Sequence, residues 1–226
     1  MVSWSGWYHD RHGSEPITID SDGRSLTLRI RGVEFAGEDF DWLEPVAAEA
    51  AKIPFELNAG SLCSCVIEWD VPLPVVAAGV EVDGILRFRL LLGDAVRTTG
   101  GLDAEELTVA LHVGGSAYET GRPHGSFETA LEDVHRQLPA DSYVKACISC
   151  AWSDYSPAGQ PLSGGLACFR SVKDAYRRVR TKQDIFAIWD RSTAYVQETY
   201  LCDEFDRRGA DAGYRGSFPS RTTIVQ

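Results

Sequence analysis

Residues 16–35 read PITIDSDGRSLTLRIRGVEF. Two runs of β-branched and apolar residues flank Ser21-Asp22-Gly23, which is a hairpin signal. In the second run Leu26, Leu28 and Ile30 alternate with Thr27, Arg29 and Arg31, so one face belongs to a core and the other to water. The stretch therefore reads as antiparallel sheet, and the same pattern recurs downstream. In SLCSCVIEWDVPLPVV (61–76), Cys63, Cys65, Ile67 and Trp69 share one face, and Pro72 and Pro74 mark the strand's end or an edge position. GILRFRLLLGD (84–94) and EELTVALHVGG (105–115) are two further strands around a polar, glycine-containing turn. Between the first strands and these, FDWLEPVAAEAAKIP (40–54) reads as a short helix or a loop, limited by Pro45 and Pro54.

The second part of the chain changes character. GSFETALEDVHRQLPA (125–140) begins a helix at Ser126 as N-cap, with Phe127, Leu131, Val134 and Leu138 on one face and His135 outside it. SYVKACISCAW (142–152) returns to strand. A helix is expected from Ser171, with Asp174 three residues on, and Thr181 and Asp184 repeat the capping pattern for a longer helix to about Arg208. Its apolar stripe is Ile185, Ile188, Trp189, Ser192, Val196 and Thr199. The fold class is α+β: an antiparallel β-rich N-terminal part, sheet or sandwich, with C-terminal helices packed on it. A single domain over 1–226 is expected, with 1–13 and 209–226 as loop or tail.

The 226 residues carry a net charge of -11, with 44% hydrophobic and 24% charged residues. That composition is ordinary for a globular chain and long enough for a substantial core. The acidic balance disfavours nucleic acid and anionic membranes; a solvated acidic surface is the favoured reading, with a cationic protein partner as the alternative. No apolar run approaches the roughly 20 residues that span a bilayer, and no secretory signal is visible at the start. A cytoplasmic location follows as the expectation. There the six cysteines stay reduced, as free thiols or ligands.

Cys147 and Cys150 in ACISCAWSDYSPAG (146–159) have zinc-knuckle spacing, with Cys168 and Cys202 as completing ligands. Strand parity opposes this, because residues three apart on a regular strand point to opposite faces. Buried thiols are the favoured reading, since free cysteine is among the most buried residue types. Trp152, Asp154 and Tyr155 lie in a Pro/Gly loop and form a candidate binding loop. No nucleophile elbow or phosphate-binding loop is present, and SGGLACFRS (163–171) lacks the context of a nucleotide fingerprint. Glu198, Asp203 and Glu204 read as a solvated acidic face.

The stretches ACISCAWSDYSPAG, GGLACFR, VQETYLCDEF and GYRG, in this order, resemble a family of uncharacterised bacterial proteins common in actinobacteria. The resemblance implies a single-domain bacterial protein of similar length and carries no catalytic residue with it. Three functions are weighed. The first is a non-catalytic protein-binding or accessory module, of the immunity type. The second is a zinc-stabilised protein using Cys147, Cys150, Cys168 and Cys202. The third is an enzyme with a pocket around Trp152, Asp154 and Tyr155.

Overall fold

In the computed structural model, which describes residues 1–47, 55–159, 161–210 and 212–219, the Ser21-Asp22-Gly23 turn joins β2 (Gly13–Ser21) to β3 (Leu26–Ile30) in an antiparallel pair. Leu26, Leu28 and Ile30 are buried, as their alternation requires. β4 (Val33–Gly37) and β5 (Glu44–Pro45) continue on one side. On the other side β1 (Val2–Asp10) pairs with β2 along its whole length. The expectation of loop over 1–13 is thus overturned for Val2–Asp10. Trp4, Gly6 and Tyr8 alternate inward, a period of two that belongs to a strand.

After a two-residue pair of strands, β6 (Leu57–Asn58) and β7 (Ser61–Leu62), comes the longest hairpin. It joins β8 (Cys65–Ala77) and β9 (Val80–Leu92), paired from Cys65↔Leu92 to Ala77↔Val80. Its turn needs a left-handed backbone at two successive residues, Ala78 (φ 49) and Gly79 (φ 79), the geometry that matches strand twist. β8 does not end at Pro72. β1 pairs with it only over Val66–Trp69, so the prolines lie where that edge of β8 has left its neighbour and no ladder donor is lost. β10 (Glu105–Val113) and β11 (Ser116–Glu119) complete a sheet of order β11-β10-β9-β8-β1-β2-β3-β4-β5, with β12 (Tyr143–Val144) also on β8.

α1 (Phe127–Gln137) starts at Ser126, whose hydroxyl accepts from Thr129 N–H. It packs its Phe127, Leu131 and Val134 side on the sheet. A run of stacked rings crosses the core. Phe40 lies 3.9 Å from Trp69, Trp69 lies 4.9 Å from Phe88, and Phe88 lies 4.7 Å from Phe127, centroid to centroid. His135 departs from expectation, being 5% exposed on the core side of α1.

The C-terminal third differs most from the sequence reading. The strand expected over 142–152 stops at Val144 and gives way to a tight 3-10 turn, Cys147–Ser149. β13 (Ser153–Asp154), β14 (Leu166–Cys168) and β15 (Ala194–Val196) form a small separate sheet. α2 (Lys173–Tyr176) is a single turn that follows a 3-10 turn at Arg170–Val172. The capping box at Thr181 and Asp184 forms, but α3 (Lys182–Phe186) ends after five residues. Pairing with β14 draws Ala194–Val196 out of the helix expected to reach Arg208, and β-branched and aromatic neighbours suit that pairing. A second, smaller core gathers around Trp152, Phe169, Tyr176 and Ile185. Of the helix-or-loop stretch 40–54, residues 48–54 lie outside the described residues, as do 220–226 of the expected tail. No helix or strand occurs among the described residues from Gly209 on, and none of the helices is long and apolar enough to cross a membrane.

Candidate functional site

The tight turn at Cys147 changes the cysteine geometry. Cys150 N–H donates to the Cys147 carbonyl at 3.0 Å. Strand parity therefore no longer applies between the two thiols, and they pack apart, Cys147 in the main core and Cys150 in the second. Pairing of Ser153 with Cys168 brings in the third cysteine. The bonds from Cys147 N–H to Tyr200 O (2.7 Å) and from Ala151 N–H to Asp206 O (2.8 Å) bring in the segment that carries Cys202. Burial pushes the Cys147 thiol up, and the nearby Cys150, Cys168 and Cys202 thiols push it further. All six cysteines are free; Cys202 is half-buried and the others buried. As the side chains stand, no group of three or more His, Cys, Asp or Glu among the described residues is arranged to hold a metal ion. Cys63 and Cys65 lie apart from this group, and burial pushes the Cys65 thiol up to about 12.

Trp152, Asp154 and Tyr155 are buried, at 6%, 1% and 5% exposure. One oxygen of Asp154, Oδ2, accepts from Tyr176 O–H (3.0 Å), Tyr214 N–H (2.8 Å) and Arg215 N–H (3.2 Å). Lys173 and Arg177 lie against the Trp152 ring at 5.1 and 5.0 Å. Tyr155 O–H donates to Glu198 Oε1 at 2.7 Å. These three side chains brace the interior of the C-terminal third.

A cavity of about 700 Å³ opens elsewhere, where the segment after β4 meets the loop before β14. Glu38, Asp39, Asp41, Glu44, Trp42 and Ser163 contribute to its wall, and no Lys, Arg or His lines it among the described residues. The sequence reading passed over this wall. Its trace was present in GEDFDWLE (37–44), four acidic residues interleaved with aromatic ones. Phe40 and Leu43 anchor the segment in the core, while Trp42 stays 58% exposed at the rim.

The carboxyl groups of the wall are not equivalent. Burial and the adjacent Asp41 carboxylate push the Asp39 carboxyl up to about 9, so at neutral pH it holds its proton and bonds to Asp41. Asp39 Oδ1 also accepts from Ser163 N–H at 3.1 Å and Ser163 O–H at 2.5 Å. Glu38 pairs with Arg24 at 2.9 Å. Asp41 Oδ1 is buried and has no hydrogen-bond partner among the described residues.

Behind the wall, Glu198 is buried and pushed up to about 7 by desolvation, which corrects its reading as a solvated residue. It accepts from Gly164 N–H at 2.8 Å as well as from Tyr155. The amides of Ser163 and Gly164 thus face protein carboxyls, which leaves no anion site in the SGG turn. Gly164 is required here: its φ is +73°, and an added Cβ would stand 2.6 Å from Glu38 O.

The site as built has an acidic wall with an exposed indole beside it. Such a surface accepts N–H donors and positive charge. No curated protein and no solved structure matches the chain. A family model does match residues 2–153, from β1 through the first residue of β13. The chain belongs to that family, the family of unknown function DUF6304.

Proposed function

We propose that this protein is a non-catalytic binding module, an accessory or immunity-type protein, that recognises a cationic protein partner by taking a Lys or Arg side chain into the cavity beside Trp42. The observation that carries this reading is the wall itself. Asp41 Oδ1 is a buried acceptor without a hydrogen-bond partner among the described residues, in a cavity that no Lys, Arg or His among them lines. A buried acceptor left unsatisfied costs about 1–3 kcal/mol, and a guanidinium or ammonium N–H from a partner removes that cost. The Trp42 ring supplies a face for the same cation, a contact worth about 0.5–2 kcal/mol. The net charge of -11 steers a basic partner toward the surface.

The enzymatic reading around Trp152, Asp154 and Tyr155 gains no support from side chains that are buried, with Asp154 Oδ2 and the Tyr155 hydroxyl bonded to protein groups. Calorimetric titration with short arginine-rich and lysine-rich peptides tests the binding proposal. Binding is expected at low salt, weakening at least tenfold as salt is raised, with Trp42→Ala weakening it about 3- to 30-fold. Absence of binding at low salt, or binding indifferent to Trp42→Ala, would overturn it.

A further inference from the structure

A second charged surface lies in the C-terminal third, and its sign is opposite to that of the cavity. Residues 170–182 carry six basic side chains and one acidic one, a local charge of +5 in a chain whose total is -11. Most of these cations are already engaged. Lys173 pairs with Glu204 at 2.9 Å, Arg170 lies 3.7 Å from the same carboxylate, and Arg177 pairs with Asp174 at 3.0 Å. Arg180 donates to the carbonyls of Arg177 and Val179 at 2.8 and 2.6 Å. Arg178 differs from them. It is exposed, and its side chain has no hydrogen-bond, ion-pair or ring partner among the described residues.

The backbone beneath Arg178 is held in place. Tyr176 and Val179 are buried on either side of the Arg177-Arg178 pair. Arg178 N–H donates to Ala175 O at 3.1 Å. The capping box at Thr181 and Asp184 fixes the next turn, and Arg180 N–H also bonds Asp184 Oδ2 at 3.0 Å. Arg178 is therefore presented on an ordered turn, and little backbone freedom is lost when a partner binds it. Four residues on, Lys182 lies over the exposed ring of Phe186 at 5.7 Å.

The basic turn and the cavity at Trp42 complement each other. The cavity offers a buried acceptor without a partner, Asp41 Oδ1, beside an exposed indole. Arg178 is an exposed donor without an acceptor. The two do not meet within one chain, since no arginine among the described residues lines the cavity. A guanidinium donates through a planar fork and stacks on aromatic faces, so one side chain can serve Asp41 and Trp42 together. Exposed apolar groups accompany both surfaces: Trp42 and Val46 on the acidic one, Phe186 on the basic one.

We infer that the cationic partner is a second copy of this chain, with Arg178 of one copy seated in the Trp42 cavity of the other. The inference rests on the reading of that cavity as a cation site. Nucleic acid fits the basic turn less well. Phosphate binding draws on several free cations, whereas here Arg178 is free and its basic neighbours are engaged. The total charge of -11 also repels a polyanion.

Sedimentation velocity of the full chain over a concentration series, at about 0.1 M salt, tests the inference. The Debye length there is about 10 Å, so repulsion between whole chains is screened more than a contact at hydrogen-bond distance. The native chain should self-associate, and Arg178→Glu and Trp42→Ala should each weaken association about tenfold or more. Both side chains are exposed, so both variants keep the core. Each contact joins the basic turn of one copy to the cavity of another. An equal mixture of the two variants should therefore form a one-to-one pair that neither forms alone. An arginine-rich peptide should dissociate the native assembly, because it takes the same cavity. A native chain that stays monomeric while it binds the peptide overturns the inference and leaves the cation site standing. Absence of peptide binding removes both. Association that neither variant weakens, or a variant mixture that stays monomeric, also overturns the inference. So does binding of an oligonucleotide that Arg178→Glu abolishes, which would assign the basic turn to nucleic acid.

Discussion

Replacing His135 by glutamine should change the acid stability of this protein more than its stability at neutral pH. His135 sits in the last turn of α1, 5% exposed. Val144 N–H donates to its Nε2 at 3.1 Å, so Nε2 is the acceptor and the ring proton is on Nδ1, which bonds Leu131 O at 2.9 Å. The ring thus ties α1 to β12 in its neutral form. Burial lowers its pKa from 6.5 to about 4. Between those values the unfolded chain binds more protons than the folded one, so stability rises with pH across the window. The contribution is full above pH 6.5 and is lost as the pH falls through 4. A displacement from 6.5 to about 4 corresponds to about 3 kcal/mol at 1.36 kcal/mol per unit. Urea unfolding of the native chain and His135→Gln at pH 7.5, 6, 5 and 4 reads this out. Glutamine costs about 1–2 kcal/mol at pH 7.5 through poorer hydrogen bonds. Across the acid range the native chain should lose about 3 kcal/mol more than the variant. Carboxylates shared by both chains cancel in that difference. Parallel pH profiles would refute the reasoning.

Glu198→Gln should act in the opposite direction. The folded pKa of about 7 lies above the ordinary 4.5, so the stability tied to its proton is full below pH 4.5 and lost as the pH rises through 7. The variant should therefore gain on the native chain by about 3 kcal/mol between pH 4.5 and 8, and an unchanged difference in urea midpoints at pH 4.5 and 8 would contradict this. Gly164→Ala forces a Cβ to within 2.6 Å of Glu38 O at a φ of +73°, and a loss of about 1–3 kcal/mol is expected in thermal unfolding. Arg208 is buried and donates to Ser153 O at 2.5 Å and Ala212 O at 2.6 Å. Arg208→Met should cost about 3–5 kcal/mol by taking the counter-charge from Asp154, 3.8 Å away, and the guanidinium donors from these carbonyls, and a melting temperature within a degree of the native one would contradict that.

Local patterns carried the strands. Period-two alternation placed Leu26, Leu28, Ile30, Cys65, Ile67 and Trp69 inward, and turn residues marked the hairpin. Ser126 marked the start of α1 for the same reason, since an N-cap acts within its own turn. What escaped depended on partners far along the chain. His135 reads as polar until Val144 N–H is beside it. Glu198 reads as solvated until Tyr155 and Gly164 close over it. Asp39 and Ser163, which make the cavity wall, are 124 residues apart. The Cys147–Cys150 stretch has the composition of a strand, and tertiary bonds from Tyr200 and Asp206 select the turn instead. The helix expected to reach Arg208 had sound capping at its start, and strand pairing at Ala194–Val196 overrode the periodicity after it.

The acidic cavity is the centre of this account, and the indole N–H resonances of the six tryptophans examine it most directly. Trp42 and Trp7 are the two most exposed, at 58% and 48%, and only Trp42 lines the cavity. During titration with an arginine-rich peptide at low salt, the account predicts that the Trp42 indole resonance shifts saturably while that of Trp7 stays in place. A shift confined to Trp7, or no indole shift at a peptide concentration that saturates binding, would contradict it.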